Sequence, residues 1–211
     1  MPSVKTSPSF GKSLFVLGGA RSGKSRHAQA IAEAAAATSA GPLVYIATAQ
    51  AFDEEMRDRI ARHQDDRDTR WQTVEAPIDL AAALRAVDGA DTVVLVDCLT
   101  LWLSNLILGE VDIEREVDGL LAALAGLEAR IILVSNEVGL GIVPDNALAR
   151  RFRDAAGRLH QRLAAQVDSV DGVMAGLVQH WKRPARAEPR ASTAGRGPIL
   201  FATLPAAIGT D

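Results

Sequence analysis

Eight consecutive residues, Gly18-Gly19-Ala20-Arg21-Ser22-Gly23-Lys24-Ser25, could do the plainest chemistry in this chain. They fit G-x-x-x-x-G-K-[ST], a phosphate-binding loop. The glycines let the backbone turn tightly and aim its N–H groups at phosphate oxygens. A helix starting at Lys24 would add its positive end. In such a loop Lys24 reaches the β- and γ-phosphates, and the Ser25 hydroxyl can ligate Mg²⁺. A second carboxylate for the metal stands at Asp97, which ends the apolar run Thr92–Val96. An acid closing so apolar a run is hard to bury without a cation. It could instead cap the helical stretch after it; beside a phosphate loop, the metal role is favoured.

A second constellation lies between Phe52 and Arg67. Phe52, Met56 and Ile60 are spaced by four, and His63 stands three after Ile60. At about 3.6 residues per turn, all four fall on one helical stripe. Arg59 and Arg67 flank His63 at i−4 and i+4. A face that starts apolar and turns cationic suits a helix aimed at phosphates. Three readings of His63 stay open on residues alone: a satisfied core histidine, a phosphate-binding donor, or a nucleophile. Neutral imidazole can attack phosphorus near neutral pH. Nearby arginines would keep it neutral and stabilise a transferring phosphoryl group. Glu75, after the edge strand Gln72–Val74, is either a ribose or base contact or a solvated acid. Asn136-Glu137 ends an apolar run where open α/β sheets bind ligands, and Gly139, Gly141 and Pro144 make the next segment a shaped loop. His27, one turn into the first helix, is read as structural.

These residues need a frame, and the apolar pattern supplies it. Short, β-branched runs occur at Leu14–Leu17, Leu43–Ala47, Thr92–Val96 and Arg130–Ser135, with a weaker one at Ser169–Leu177. They read as strands buried on both faces. Helical stretches at Lys24–Thr38, Asp53–Arg67, Ile78–Val87, Ile113–Leu127 and Ala147–Gln166 separate them. Such alternation predicts an α/β fold with a mostly parallel sheet and helices on both faces. The 211 residues suit one domain over 14–179, with an N-terminal extension at 1–13. Residues 180–211, with five Lys/Arg, two acids and several Pro and Gly, read as a basic mobile tail.

Composition excludes other classes. A net charge of −3 argues against a chain that holds nucleic acid by charge. The single cysteine, Cys98, allows no internal disulfide. No apolar run reaches a membrane span's length and no leader pattern opens the chain, so a soluble cytoplasmic protein is expected.

Assembled in order, these segments resemble the bifunctional adenosylcobinamide kinase / adenosylcobinamide-phosphate guanylyltransferase family of cobalamin biosynthesis. The matching pieces are the loop Gly18–Ser25 with Arg26-His27-Ala28, Tyr45-Ile46-Ala47-Thr48-Ala49-Gln50, and Asp53-Glu54-Glu55-Met56. Arg59-Ile60-x-x-His63-x-x-x-Arg67 and Trp71-x-x-x-Glu75 come next, then Asn136–Pro144 and Arg151-Phe152-Arg153-Asp154-x-x-Gly157. The match covers about residues 14 to 177. Its most specific parts are the Asn-Glu-Val-Gly loop and the helix carrying His63.

The resemblance implies a RecA-like P-loop NTPase fold, a homotrimer and two reactions. A nucleoside triphosphate, ATP or GTP, phosphorylates the hydroxyl of adenosylcobinamide. GTP then gives GMP to adenosylcobinamide phosphate through a GMP–histidine intermediate, releasing pyrophosphate. The histidine maps onto His63, with Lys24 as the other catalytic residue. Nucleotide contacts carry over to Gly18, Gly19, Ala20, Arg21, Ser22, Gly23, Lys24, Ser25, Thr48, Ala49, Gln50, Gln64, Arg67, Glu75 and Asp97. Departures from the family pattern are Arg62 where some members have a second histidine, and His160 where many have Asn. The tail from His180 has no counterpart in the pattern. Two other functions fit the residues less well: a single-function P-loop kinase on another small hydroxyl substrate, and a nucleotide-switched regulatory module.

Overall fold

A computed structural model describes residues 10–50 and 69–184. The expected helix Asp53–Arg67, with His63, Gln64 and Arg67, lies outside the described residues, as do 1–9 and 185–211. Within them the chain runs β1 (Ser13–Gly18), α1 (Lys24–Ala36), β2 (Leu43–Ala47), β3 (Trp71–Glu75), α2 (Leu80–Ala86) and β4 (Val93–Asp97). It continues α3 (Leu99–Leu108), α4 (Ile113–Gly126), β5 (Arg130–Asn136), α5 (Ala147–Gln166), β6 (Ser169–Met174) and β7 (Leu177–Lys182).

All seven strands form one sheet in the order β3-β2-β4-β5-β1-β6-β7. Every pairing is parallel except β6 with β7. The α/β architecture with a mostly parallel sheet is thus as expected. The central strands are apolar throughout because each face is covered. Phe15, Val44, Ile46, Val94, Val96, Ile131 and Leu133 point into a core shared with α2, α3, α4 and α5. Their neighbours Leu14, Val16, Leu43, Val93, Leu95, Ile132 and Val134 point the other way, onto Ala28, Ala32 and Ala35 of α1. The alanine stripe lets α1 lie close on the sheet.

Two elements depart from the sequence expectation. Helix α3 has no bounds in the apolar pattern because it is buried nearly all round, including Leu99, Trp102, Leu103, Leu106 and Ile107. A helix without a wet face has no amphipathic period. The stretch Ser169–Leu177, expected as one interrupted strand, is the first arm of a hairpin (Ser169–Met174), its turn and the first residue of the second arm. Met174 pairs with Leu177 across Ala175 and Gly176, both left-handed at φ 52° and 78°. Two such residues make the tight turn whose twist matches antiparallel strands. The tail predicted from His180 therefore needs correction at its start: His180–Lys182 belong to β7, and His180 bonds Asp171. Gly172 is bare because the Trp181 ring lies where a side chain would stand.

Candidate active site

The carboxyl ends of the parallel strands gather the site. Register places Ala47 beside Glu75 on one side and Asp97 on the other. Asp97 in turn lies beside Val134, and Gly18 beside Asn136. One strand, β5, separates the strand that feeds the glycine-rich loop from the strand that ends in Asp97. Glu75 and Asp97 are two strand spacings apart, roughly 10 Å along the edge. Residues 48–50 leave the sheet at this edge as well.

The loop is bent by left-handed backbone at two positions, one of them a glycine. Arg21 and Gly23 both have positive φ, 55° and 97°. Gly18 has no room for a side chain: a Cβ there would lie 2.4 Å from the Val173 carbonyl oxygen and 2.6 Å from Ser22 Oγ. The Ser22 N–H donates to Gly19 O at 3.3 Å. The loop's first residue is also tied to the neighbouring strand's end, where the Glu137 N–H donates to Gly18 O at 3.0 Å.

Beyond the loop, helix α1 starts with its N-terminus left open. Helix α4 is capped by Asp112, which accepts from the Arg115 N–H, and α5 by Asn146, which accepts from the Ala149 N–H. Like α2 and α3, helix α1, which starts on Gly23, has no side-chain cap and no acid in its first turn. Its first turn instead holds Lys24 and Arg26. Cations at a helix N-terminus oppose the helix dipole. Uncapped first-turn N–H groups, two cations and a positive helix end together suit a bound anion. Lys24 is only 8% exposed, and its Nζ donates to Gly19 O at 3.3 Å. Ser22 Oγ is buried and is the one such side-chain atom without a hydrogen-bond partner among the described residues. A buried hydroxyl without a partner is costly, and phosphate is a ready acceptor beside it.

Helix α1 packs on β4, so its first turn faces the end where Asp97 stands. The electrostatics agree. Burial raises the pKa of the Cys98 thiol, the neighbouring Asp97 charge raises it further, and the Lys24 charge opposes both. Lys24 thus acts on the same end of β4. Ser25 and Asp97 are both half-buried at this edge. Among the described residues no group of three or more His, Cys, Asp or Glu could hold a metal. One hydroxyl and one carboxylate nonetheless fit Mg²⁺, which keeps waters and takes its remaining ligands from phosphates.

Some expected contacts are narrower than the sequence suggested. Thr48 is fully buried. Its Oγ1 donates to Cys98 O at 2.8 Å and accepts from the Cys98 N–H at 2.9 Å. That hydroxyl joins the ends of β2 and β4 and is not offered to a ligand; Ala49 and Gln50 are half-buried beyond it. Asn105, missed in the sequence because it sits in an apolar helix, donates through Nδ2 to Thr48 O at 2.8 Å and Pro77 O at 3.0 Å. Glu75 is exposed at the edge. The Asn136-Glu137 loop is shaped from within: Glu137 accepts from the Gly139 N–H at 2.6 Å and the Leu140 N–H at 3.2 Å. Asn136 Nδ2 donates to Thr100 Oγ1 at 2.9 Å. Behind it, His160 Nε2 lies 2.8 Å from Ser135 Oγ, and burial lowers its pKa to about 4. His160 is a neutral packing group.

Comparison with known proteins points the same way as this geometry. Residues 14–180 match the family described as cobinamide kinase / cobinamide phosphate guanyltransferase. The chain is 51% identical over 178 residues to the bifunctional adenosylcobalamin biosynthesis protein CobP of Pseudomonas aeruginosa, covering 82% of this chain and 97% of that one. It is 42% identical over 179 residues to the corresponding protein, CobU, of Salmonella typhimurium, covering 78% and 96%. For CobU of Escherichia coli the identity is 40% over 179 residues, with the same coverage.

Proposed function

Because the chain belongs to the cobinamide kinase / cobinamide phosphate guanyltransferase family, we propose that it performs both reactions at one nucleotide site. In the first, the hydroxyl oxygen of adenosylcobinamide bonds to the γ-phosphorus of ATP or GTP, the bond to the β–γ bridging oxygen breaks, and the hydroxyl proton is lost. In the second, an imidazole nitrogen of His63 bonds to the α-phosphorus of GTP and pyrophosphate leaves. A phosphate oxygen of adenosylcobinamide phosphate then attacks that phosphorus, the P–N bond breaks, and adenosylcobinamide-GDP is released.

The observation that carries this reading is the open, cationic start of α1 above a loop that turns through left-handed backbone at Arg21 and Gly23. Charge builds on phosphate oxygens in both transfers, and fixed donors there lower the barrier without reorganising. Lys24 and the loop N–H groups of Gly19–Ser25 neutralise the departing phosphates. Ser25 and Asp97 would hold Mg²⁺, which when bound would offset the charge on the phosphates. Ala49, Gln50 and Glu75 line the same edge and are assigned to nucleoside contacts; Gln64 and Arg67 are assigned with His63 to the phosphates. The working assembly is a homotrimer in the cytoplasm. Exposed apolar side chains such as Leu140, Ile142 and Val143 give it surface to bury. No helix of the described residues is long and apolar enough to cross a membrane.

The test supplies adenosylcobinamide, GTP and Mg²⁺ and follows both products by chromatography. Wild type should form the phosphate and then the GDP derivative; Lys24→Ala should lose at least about a hundredfold of both rates. Formation of the phosphate alone would reduce the chain to a single-function kinase, and formation of neither would refute the proposal. Sedimentation velocity should find a trimer; a monomer at working concentration would refute that part.

A further inference from the structure

An acid is buried in the sheet where neither reaction uses it. Asp171 lies on β6 and is 1% exposed. A carboxylate so placed is expensive unless it is paired. Its Oδ2 accepts from His27 Nε2 at 2.9 Å. Its Oδ1 accepts from His180 Nδ1 at 2.8 Å and lies 2.6 Å from Arg183 Nη1. Burial alone would raise the Asp171 pKa; the hydrogen bonds from His27, Arg183 and His180 outweigh it and lower the pKa to about 2. Ionised Asp171 can only accept, so His27 presents an N–H to it; His180 Nδ1 also meets Arg183 Nη2, so Arg183 and His180 share the other oxygen.

Two of these partners, His180 and Arg183, come from β7 and the residue after it. The third comes from the first turn of α1, where the His27 N–H also donates to Gly23 O at 3.0 Å. One residue therefore ties the end of the phosphate loop to β6. The hairpin meets the loop at three further points. The Gly176 N–H donates to Ser22 O at 2.8 Å. A Cβ on Gly23 would stand 3.4 Å from Gly176 Cα, and one on Gly18 would meet the Val173 carbonyl. The loop thus rests on the turn of the β6–β7 hairpin, and Asp171 pins that hairpin to α1.

We infer that Asp171 and His27 are positioning residues for nucleotide binding, which lock the β6–β7 hairpin to the first turn of α1 and hold Ser22–Lys24 in the shape that receives phosphates. The inference rests on the proposed nucleotide site. Neither side chain touches the nucleotide; both act through the backbone. Hydrogen bonds to a charged group are among the stronger ones in proteins, so losing one should be visible in affinity.

The test uses the full chain with His27→Leu, His27→Gln and Asp171→Asn. Gln can place an amide N–H near the position of Nε2; Leu cannot. Binding of a fluorescent GTP analogue with Mg²⁺ is measured beside KM for GTP, KM for adenosylcobinamide phosphate, and urea unfolding. His27→Leu should weaken GTP binding about tenfold, equal to about 1.4 kcal/mol. KM for GTP should rise in step, while KM for the corrinoid stays within about twofold. His27→Gln should recover affinity to within about threefold of wild type, and Asp171→Asn should show the same selective loss as His27→Leu. The reading is overturned if folded His27→Leu or Asp171→Asn binds GTP as wild type does. It is equally overturned if both KM values rise alike, or if His27→Gln fails as badly as Leu. A wild-type chain that binds no GTP would sink the nucleotide site itself, and this inference with it.

Discussion

Gly18→Ala is the sharpest perturbation the loop offers. The added Cβ would lie 2.4 Å from Val173 O, a backbone atom near the carboxyl end of β6, and 2.6 Å from Ser22 Oγ. Cβ contacts below 3.4 Å are uncommon, so the loop must move by about 1 Å. The serine hydroxyl can rotate away; the β6 carbonyl cannot. Overpacking of this kind costs about 1–3 kcal/mol of stability. A displacement of about 1 Å in a group that positions substrate costs on the order of a hundredfold in activity. The control is Gly19→Ala, since nothing lies within 4 Å of its Cβ position. Both variants are assayed for phosphoryl transfer, for binding of a fluorescent GTP analogue and for unfolding in urea. Gly18→Ala should lose about a hundredfold in the rate of phosphoryl transfer, with weakened binding of the analogue, and about 2 kcal/mol in stability. Gly19→Ala should unfold within about 0.5 kcal/mol of wild type. Gly18→Ala binding within threefold of wild type, with an unchanged urea midpoint, would refute the argument that β6 shapes the loop.

Buried polar groups give two further outcomes. Thr48→Val keeps the shape but takes the hydroxyl acceptor from the buried Cys98 N–H, while Cys98 O keeps the Leu101 and Trp102 N–H groups; it should cost about 1–2 kcal/mol, read from urea unfolding at pH 7, and a loss below about 0.5 kcal/mol would contradict the assignment. His160 has a folded pKa of about 4 against an ordinary 6.5, so the unfolded chain binds its proton first, and stability is lost as pH falls from about 6.5 towards 4. Between pH 7 and pH 5 this amounts to about 2 kcal/mol, which His160→Gln should remove from the pH dependence of unfolding. Equal pH dependence in the two proteins would contradict it.

The phosphate loop was legible because its requirements are contiguous: glycines, Lys24 and Ser25 stand in one run, and a strand and helix flank them. The central strands were legible because covering both faces forces unbroken apolar runs such as Val93–Val96. A helical stretch after Asp97 was expected, but the bounds of α3 were not legible, since burial on nearly every side erases the period by which helices are found. Strand β7 was hidden for the opposite reason: it lies at the sheet edge with mostly exposed side chains, and its basic, proline-flanked composition reads as a tail. The partners of Asp171 could not be read at all, because His27 stands 144 residues away in the chain. Thr48 was placed at the right edge, but its hydroxyl serves the sheet. Its type suits a phosphate contact and a strand-end clamp equally, and only burial separates them. His63, the residue on which the second reaction turns, lies outside the described residues, so its role is a question for chemistry.

That question has a direct answer. Protein incubated with GTP labelled at the α-phosphate and Mg²⁺, then denatured, should retain label on the chain. The label should be lost in acid and survive base, as a phosphoramidate does, and His63→Ala should retain none. Wild-type protein that retains no label, or His63→Ala that labels as well as wild type, would contradict guanylyl transfer through this histidine.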